Sequence, residues 1–100
     1  MTNHELIVVY DVSTTTPEGR KRLRHVARIC EAYGQRVQKS VFELVVSDAD
    51  RVRLIGRLLD VIDVNLDSLR CYTLTAGTLE RCLTEGRPAA IMGHQDAWVL

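Results

Sequence analysis

The chain has 100 residues, 46% of them hydrophobic and 26% charged, with thirteen basic and thirteen acidic side chains. That length suits one domain with a thin core, which buries about two thirds of the surface its unfolded chain exposes, so a partner subunit would help it. No apolar run approaches the roughly 18 residues of a membrane span, and the opening "MTNHEL" has neither a basic cluster nor a secretory core, so a soluble, cytoplasmic protein without a membrane partner is predicted.

The first element is a strand in "ELIVVYDVST". Five apolar or aromatic side chains, Leu6 to Tyr10, run straight into Asp11, and small hydroxylated residues follow. A carboxylate at a strand's carboxyl end stands where backbone pairing gives out and solvent can enter. Asp11 can there hold a hard cation such as Mg²⁺, with water in the other positions, or it can bond the following amides around Ser13 as an ordinary turn residue.

"TTTPEG" then supplies helix-start chemistry, with Thr16 before Pro17 as an N-cap or Thr15 with Glu18 as a capping box. Leu23, Val26, Ala27, Cys30 and Tyr33 recur at helical spacing and predict a helix over 17–33 that Gly34 ends. Neutral overall charge conceals what this helix carries. Residues 17–39 contain seven Lys or Arg against Glu18 and Glu31, a net +5, and the remainder carries −5. Arg20, Arg24 and Arg28 stack at i, i+4 and i+8 beside Lys21 and His25, where like charges repel by a few tenths of a kcal/mol per pair. An anion would relieve that repulsion, although a run of charge on a helix also reads as a solvated face.

"RVQKSVFELVV", 36–46, is rich in β-branched residues, and its alternation changes phase near Lys39 and Ser40, which marks a bulge or a reversal. If this strand is regular, Gln38, Ser40 and Phe42 share one face, an odd composition for a core. Ser47 and Asp50 open a second helix to about residue 62 with Val52, Ile55, Leu59 and Ile62 as its apolar stripe, and "SLRCYTL" is a further strand after the loop "DVNLD". "TLERCL" reads as a short helical turn, "GRPAA" as a break and "AWVL" as a final strand. Cys30, Cys71 and Cys82 lie in apolar contexts without a CxxC pair and read as reduced packing residues. His4, His25 and His94 are scattered singly, which fits surface positions better than a catalytic base. No glycine falls at the spacing of a phosphate-binding loop.

The runs "VVYDVS", "KRLRHVARICEAYG" and above all "RVQKSVFE" resemble the small CRISPR-associated endoribonuclease family of the spacer-acquisition complex, over about residues 5–74. The resemblance implies an α+β, ferredoxin-like βαββαβ domain over 1–75, with two helices on one face of an antiparallel sheet and the 36–46 run split into two strands. It implies a homodimer whose C-terminal extension, 76–100, adds an extra strand that pairs with the other protomer's sheet. Asp11 would face its symmetry mate and bind Mg²⁺ or Mn²⁺. Arg22 and Arg24 match the family's arginine pair and Phe42 its strand aromatic, and the larger CRISPR integrase is the implied partner.

Two functions follow. In the first, the dimer is a scaffold that grips duplex DNA through Arg20, Lys21, Arg22, Arg24 and Arg28 and bridges integrase subunits, with Mg²⁺-dependent hydrolysis of RNA or DNA as an accompanying activity. In the alternative, the chain is a metal-dependent endoribonuclease acting on single-stranded RNA, with Asp11 as ligand, Arg22 and Arg24 on phosphate, and Ser40 and Phe42 shaping the site. The basic patch is the stronger feature of the sequence and ranks the scaffold first.

Overall fold

A computed structural model describes residues 2–87. The elements run β1 (Asn3–Asp11), α1 (Pro17–Tyr33), β2 (Gly34–Gln38), β3 (Val41–Ser47), α2 (Asp48–Val61) and β4 (Ser68–Leu74). The four strands form one sheet in the order β2-β3-β1-β4, and every neighbouring pair is antiparallel. This is the predicted βαββαβ arrangement. The final strand "AWVL" and the pairing of the extension with a second protomer lie outside the described residues, as does His94.

Strand alternation divides the sheet into two faces. Leu6, Val8 and Tyr10 of β1, with Val12 just beyond it, join Phe42, Leu44 and Val46 of β3 on the covered face, where Val26, Ile29 and Cys30 of α1 and Leu54 and Leu58 of α2 close the core. The other face carries Glu5, Ile7, Val9 and Asp11 in one row. Their cross-strand neighbours are Val45, Glu43 and Val41 on β3 and Leu74, Tyr72, Arg70 and Ser68 on β4. Among the described residues no helix lies on it, and Val45 and Tyr72 are 56% and 47% exposed there.

Thr16 caps α1 by accepting from the Gly19 amide at 3.1 Å, and Ser47 caps α2 by accepting from the Asp50 amide at 3.2 Å, as their spacing predicts. Gly34 ends α1 differently from expectation. Its φ of −163° is ordinary extended backbone, and the chain passes directly from helix into strand. What calls for glycine is proximity, because a Cβ there would press on the Glu43 carbonyl and the Leu44 side chain.

The phase change near Lys39 is a reversal accompanied by a register shift between Arg36 and Gln38. Lys39 and Ser40 turn the chain without a positive φ. Gln38 therefore belongs to β2 and Phe42 to β3, and the three side chains do not share a regular strand face. After β4 the chain makes successive tight turns over 75–82, where the amides of Thr78, Arg81 and Cys82 bond the carbonyls of Thr75, Thr78 and Leu79. Glu5 holds these turns by accepting from the amides of Gly77 and Leu79. The Leu79 amide, followed by that of Gly77, keeps the Glu5 carboxyl below its ordinary range. Among the described residues no helix is long and apolar enough to cross a membrane.

Candidate functional site

Asp11 is the last residue of β1 and stands directly opposite Ser68, the first residue of β4. Its side chain is exposed, and among the described residues no hydrogen bond or ion pair engages its carboxylate. The turn-residue reading of Asp11 does not hold, since the Ser13 amide donates to a different carboxylate, that of Asp67, at 3.0 Å. Ser40 is close to the same strand end. Its carbonyl accepts from the Tyr10 amide at 3.1 Å, so the β2–β3 turn abuts the residue before Asp11.

Phe42 is 0% exposed. It stacks on Tyr10 with ring centroids 6.2 Å apart, while the Arg36 guanidinium lies 5.2 Å from its ring centre. Core packing thus engages Phe42 between Tyr10 and Arg36, so within one chain it supports the strand end from beneath. Tyr10, its stacking partner, precedes Asp11, and its phenol is buried without a hydrogen-bond partner among the described residues and is pushed up in pKa by that burial. Burial similarly pushes the Cys30 thiol up to about 12 and raises Cys71. Both are inert packing residues as expected, whereas Cys82 is exposed rather than packed. His4 pairs with Asp48 across the start of α2, and His25 is exposed on α1.

The basic residues of α1 divide into two kinds. Arg20, Lys21, Arg24 and Arg28 are all exposed. Arg20 donates to the Thr14 carbonyl at 3.2 Å, and no partner among the described residues engages Lys21, Arg24 or Arg28. Arg22 is different, for its Nε and Nη2 donate to the two oxygens of Asp67 at 2.8 and 3.2 Å. The Asp67 side chain is 0% exposed and that of Arg22 17%. Burial works to raise the Asp67 carboxyl, but the Arg22 guanidinium and the amides of Asp63 and Ser13 outweigh it and hold the group below its ordinary value.

Sequence reasoning missed Asp67, treating "DVNLD" as a plain loop. The available signal was an acidic residue placed directly before a strand, in a chain whose first helix holds more cations than its own acids can balance.

Exposed, hard and unpaired among the described residues, the Asp11 carboxylate is chemically suited to Mg²⁺ or Mn²⁺. It is also only one ligand. Among the described residues no group of three or more His, Cys, Asp or Glu could hold a metal ion.

The family model for CRISPR associated protein Cas2 matches residues 4–82. The chain belongs to the Cas2 family. A relative from Rhodospirillum rubrum named CRISPR-associated endoribonuclease Cas2 3 is 49% identical over 89 residues, covering 89% of this chain and 94% of that protein. A Chlorobaculum tepidum protein named CRISPR-associated endoribonuclease Cas2 is 51% identical over 81 residues, 81% of this chain and 84% of its own length. The crystal structure of Streptococcus pyogenes Cas2 at pH 6.5 matches with a TM-score of 0.73 at 51% identity, over 82% of this chain and 99% of that one. The ferredoxin-like fold of the family is therefore this chain's fold.

Proposed function

We propose that the chain is an endoribonuclease of CRISPR adaptation that works as a homodimer and hydrolyses phosphodiester bonds of single-stranded RNA, with Asp11 of each copy contributing to a shared Mg²⁺ or Mn²⁺ site. The observation that carries this reading is the Asp11 carboxylate, exposed and without a partner among the described residues, at the end of the row Glu5, Ile7, Val9 and Asp11. The names of relatives about half identical to this chain favour it over the scaffold, reversing the order the sequence suggested. Burying Ile7, Val9, Val41 and Tyr72 against a second copy supplies the apolar contact a thin core lacks. Two carboxylates that converge across a twofold axis repel unless a proton or cation lies between them, which favours a shared ion.

Held by Asp11 of each copy, such an ion would supply activation of a water for attack on phosphorus. Arg24, with Arg20, Lys21 and Arg28, holds the flanking phosphates, and Ser40 borders the strand end on which Asp11 stands. The test is cleavage of labelled single-stranded RNA. Activity should require Mg²⁺ or Mn²⁺ and disappear in Asp11→Asn, which keeps the side-chain shape and removes the charge. Cleavage that persists in EDTA, or in the Asn variant, overturns the assignment.

The unpaired cations of α1 favour a second reading. Lys21, Arg24 and Arg28 leave three positive charges without an internal partner among the described residues, a face suited to a duplex DNA backbone. In this role the dimer spaces integrase subunits during spacer acquisition. Spacer integration that survives Asp11→Asn in cells but fails with Arg24→Ala would put the scaffold first.

A further inference from the structure

Arg22 and Arg24 are two residues apart on one helix, yet their surroundings differ completely. Arg24 is exposed and without a partner among the described residues, whereas Arg22 grips Asp67 through Nε and Nη2. Asp67 accepts four N–H groups, two on each oxygen. Oδ1 takes the Ser13 amide at 3.0 Å and Arg22 Nη2 at 3.2 Å, and Oδ2 takes Arg22 Nε at 2.8 Å and the Asp63 amide at 2.9 Å. These donors come from the loop after β1, from α1 and from the loop after α2. They converge on a side chain that is 0% exposed.

The placement of this carboxylate bears on Asp11 from both sides. Ser13 is two residues beyond Asp11 in the chain, and Asp67 immediately precedes Ser68, the cross-strand partner of Asp11. One buried group thus ties down the strand end that carries Asp11 and the strand end that faces it. A planar guanidinium recognises phosphate through a pair of adjacent N–H donors, and the Nε and Nη2 edge of Arg22 is already engaged.

We infer that the two neighbouring arginines do different work: Arg24 contacts phosphate, while Arg22 and Asp67 are positioning residues that fix the β1–α1 loop and the strand end bearing Asp11. The catalytic part of this inference rests on the nuclease reading above. The separation of the arginines does not.

The experiment measures salt-dependent binding of a fluorescent duplex DNA and amide hydrogen exchange at Ser13. It uses Arg24→Gln and the charge-neutral double variant Arg22→Gln/Asp67→Asn, with Asp67→Asn alone as a milder lesion should the double variant unfold. Arg24→Gln should make the slope of log affinity against log salt shallower by about one unit for each phosphate it no longer neutralises. The double variant, or Asp67→Asn in its place, should keep the native slope while its Ser13 amide exchanges at least about tenfold faster, as local opening free energy falls. In RNA cleavage, Asp67→Asn should lower kcat at unchanged KM, and Arg24→Gln should raise KM. A double-variant slope as shallow as that of Arg24→Gln would make Arg22 a phosphate ligand, and unchanged Ser13 exchange in Asp67→Asn would remove the positioning role. If the native protein cleaves nothing, the nuclease reading fails alone, because slope and exchange still decide the division of labour between the arginines.

Discussion

Asp11 and Asp67 are both carboxylates beside a strand end, and solvent access separates their chemistry. The exposed Asp11 can exchange water for a cation, while Asp67, shut from solvent, is fully engaged by N–H donors and serves structure. Replacing Asp67 by Ala leaves the Arg22 guanidinium and two amides without their acceptor in a partly buried site, and we predict a destabilisation of about 3 kcal/mol, read from the urea midpoint. The pH dependence has a definite sign. A carboxyl held below its ordinary value stabilises the fold at every pH above that value, about 3.9 for Asp, and this contribution disappears as pH falls through the lowered one. The native urea midpoint should therefore be flat between pH 7 and about 5 on account of Asp67 and fall below about 4, and the Asp67→Asn variant should show a shallower acid-side fall. An equally steep fall in the variant would mean that other carboxyls carry it.

At the scale of elements, two glycines in helices make opposite predictions. Gly19 lies in the first turn of α1, and a Cβ there would run into the Ser13 carbonyl, so the close approach of the β1–α1 loop to the helix depends on it. Gly19→Ala should push that loop away, destabilise the fold by about 1–3 kcal/mol as overpacking does, and speed exchange at Ser13. Gly56 is exposed within α2, and a Cβ there would meet nothing within 4 Å. Gly56→Ala should stabilise the chain by up to about 1 kcal/mol through backbone entropy alone. Thermal melting of both variants checks the pair, and a stabilised Gly19→Ala would show that the loop yields at little cost.

For the whole molecule, the apolar row on the sheet is the surface on which the proposed dimer is tested. The helices cover one face of the sheet and leave Ile7 and Val9 flanked by Val41, Glu43, Arg70 and Tyr72 on the other. Ile7→Lys should yield a folded monomer by analytical ultracentrifugation at micromolar concentration, since a charge in the middle of that row opposes burial while touching nothing in the helical core. A dimer that persists would place the interface elsewhere, and deleting 88–100 then tests the strand-exchange expectation. If a dimer engages about six phosphates through its α1 faces, log affinity for duplex DNA should fall with log salt at a slope of roughly −5, a weakening on the order of a thousandfold between 50 and 200 mM.

Much of the fold was legible because it rests on local rules. Thr16 and Ser47 are caps at the positions their spacing indicates, α1 ends at Tyr33 as its apolar stripe predicts, and β4 matches "SLRCYTL" residue for residue. Asp11 also stood out locally, as a charge closing an apolar strand. What only the tertiary structure decided depends on the meeting of distant residues. Counted along a single strand, Phe42 shares a face with Gln38 and Ser40 that is odd for a core, and the reversal at Lys39–Ser40 separates them and leaves Phe42 buried. Arg22 is indistinguishable from its basic neighbours until Asp67, forty-five positions away, closes on it. Local propensity and periodicity act over a few residues and survive in any fold that uses them, whereas the balance between burying a charge and pairing it exists only once the chain has brought the partners together.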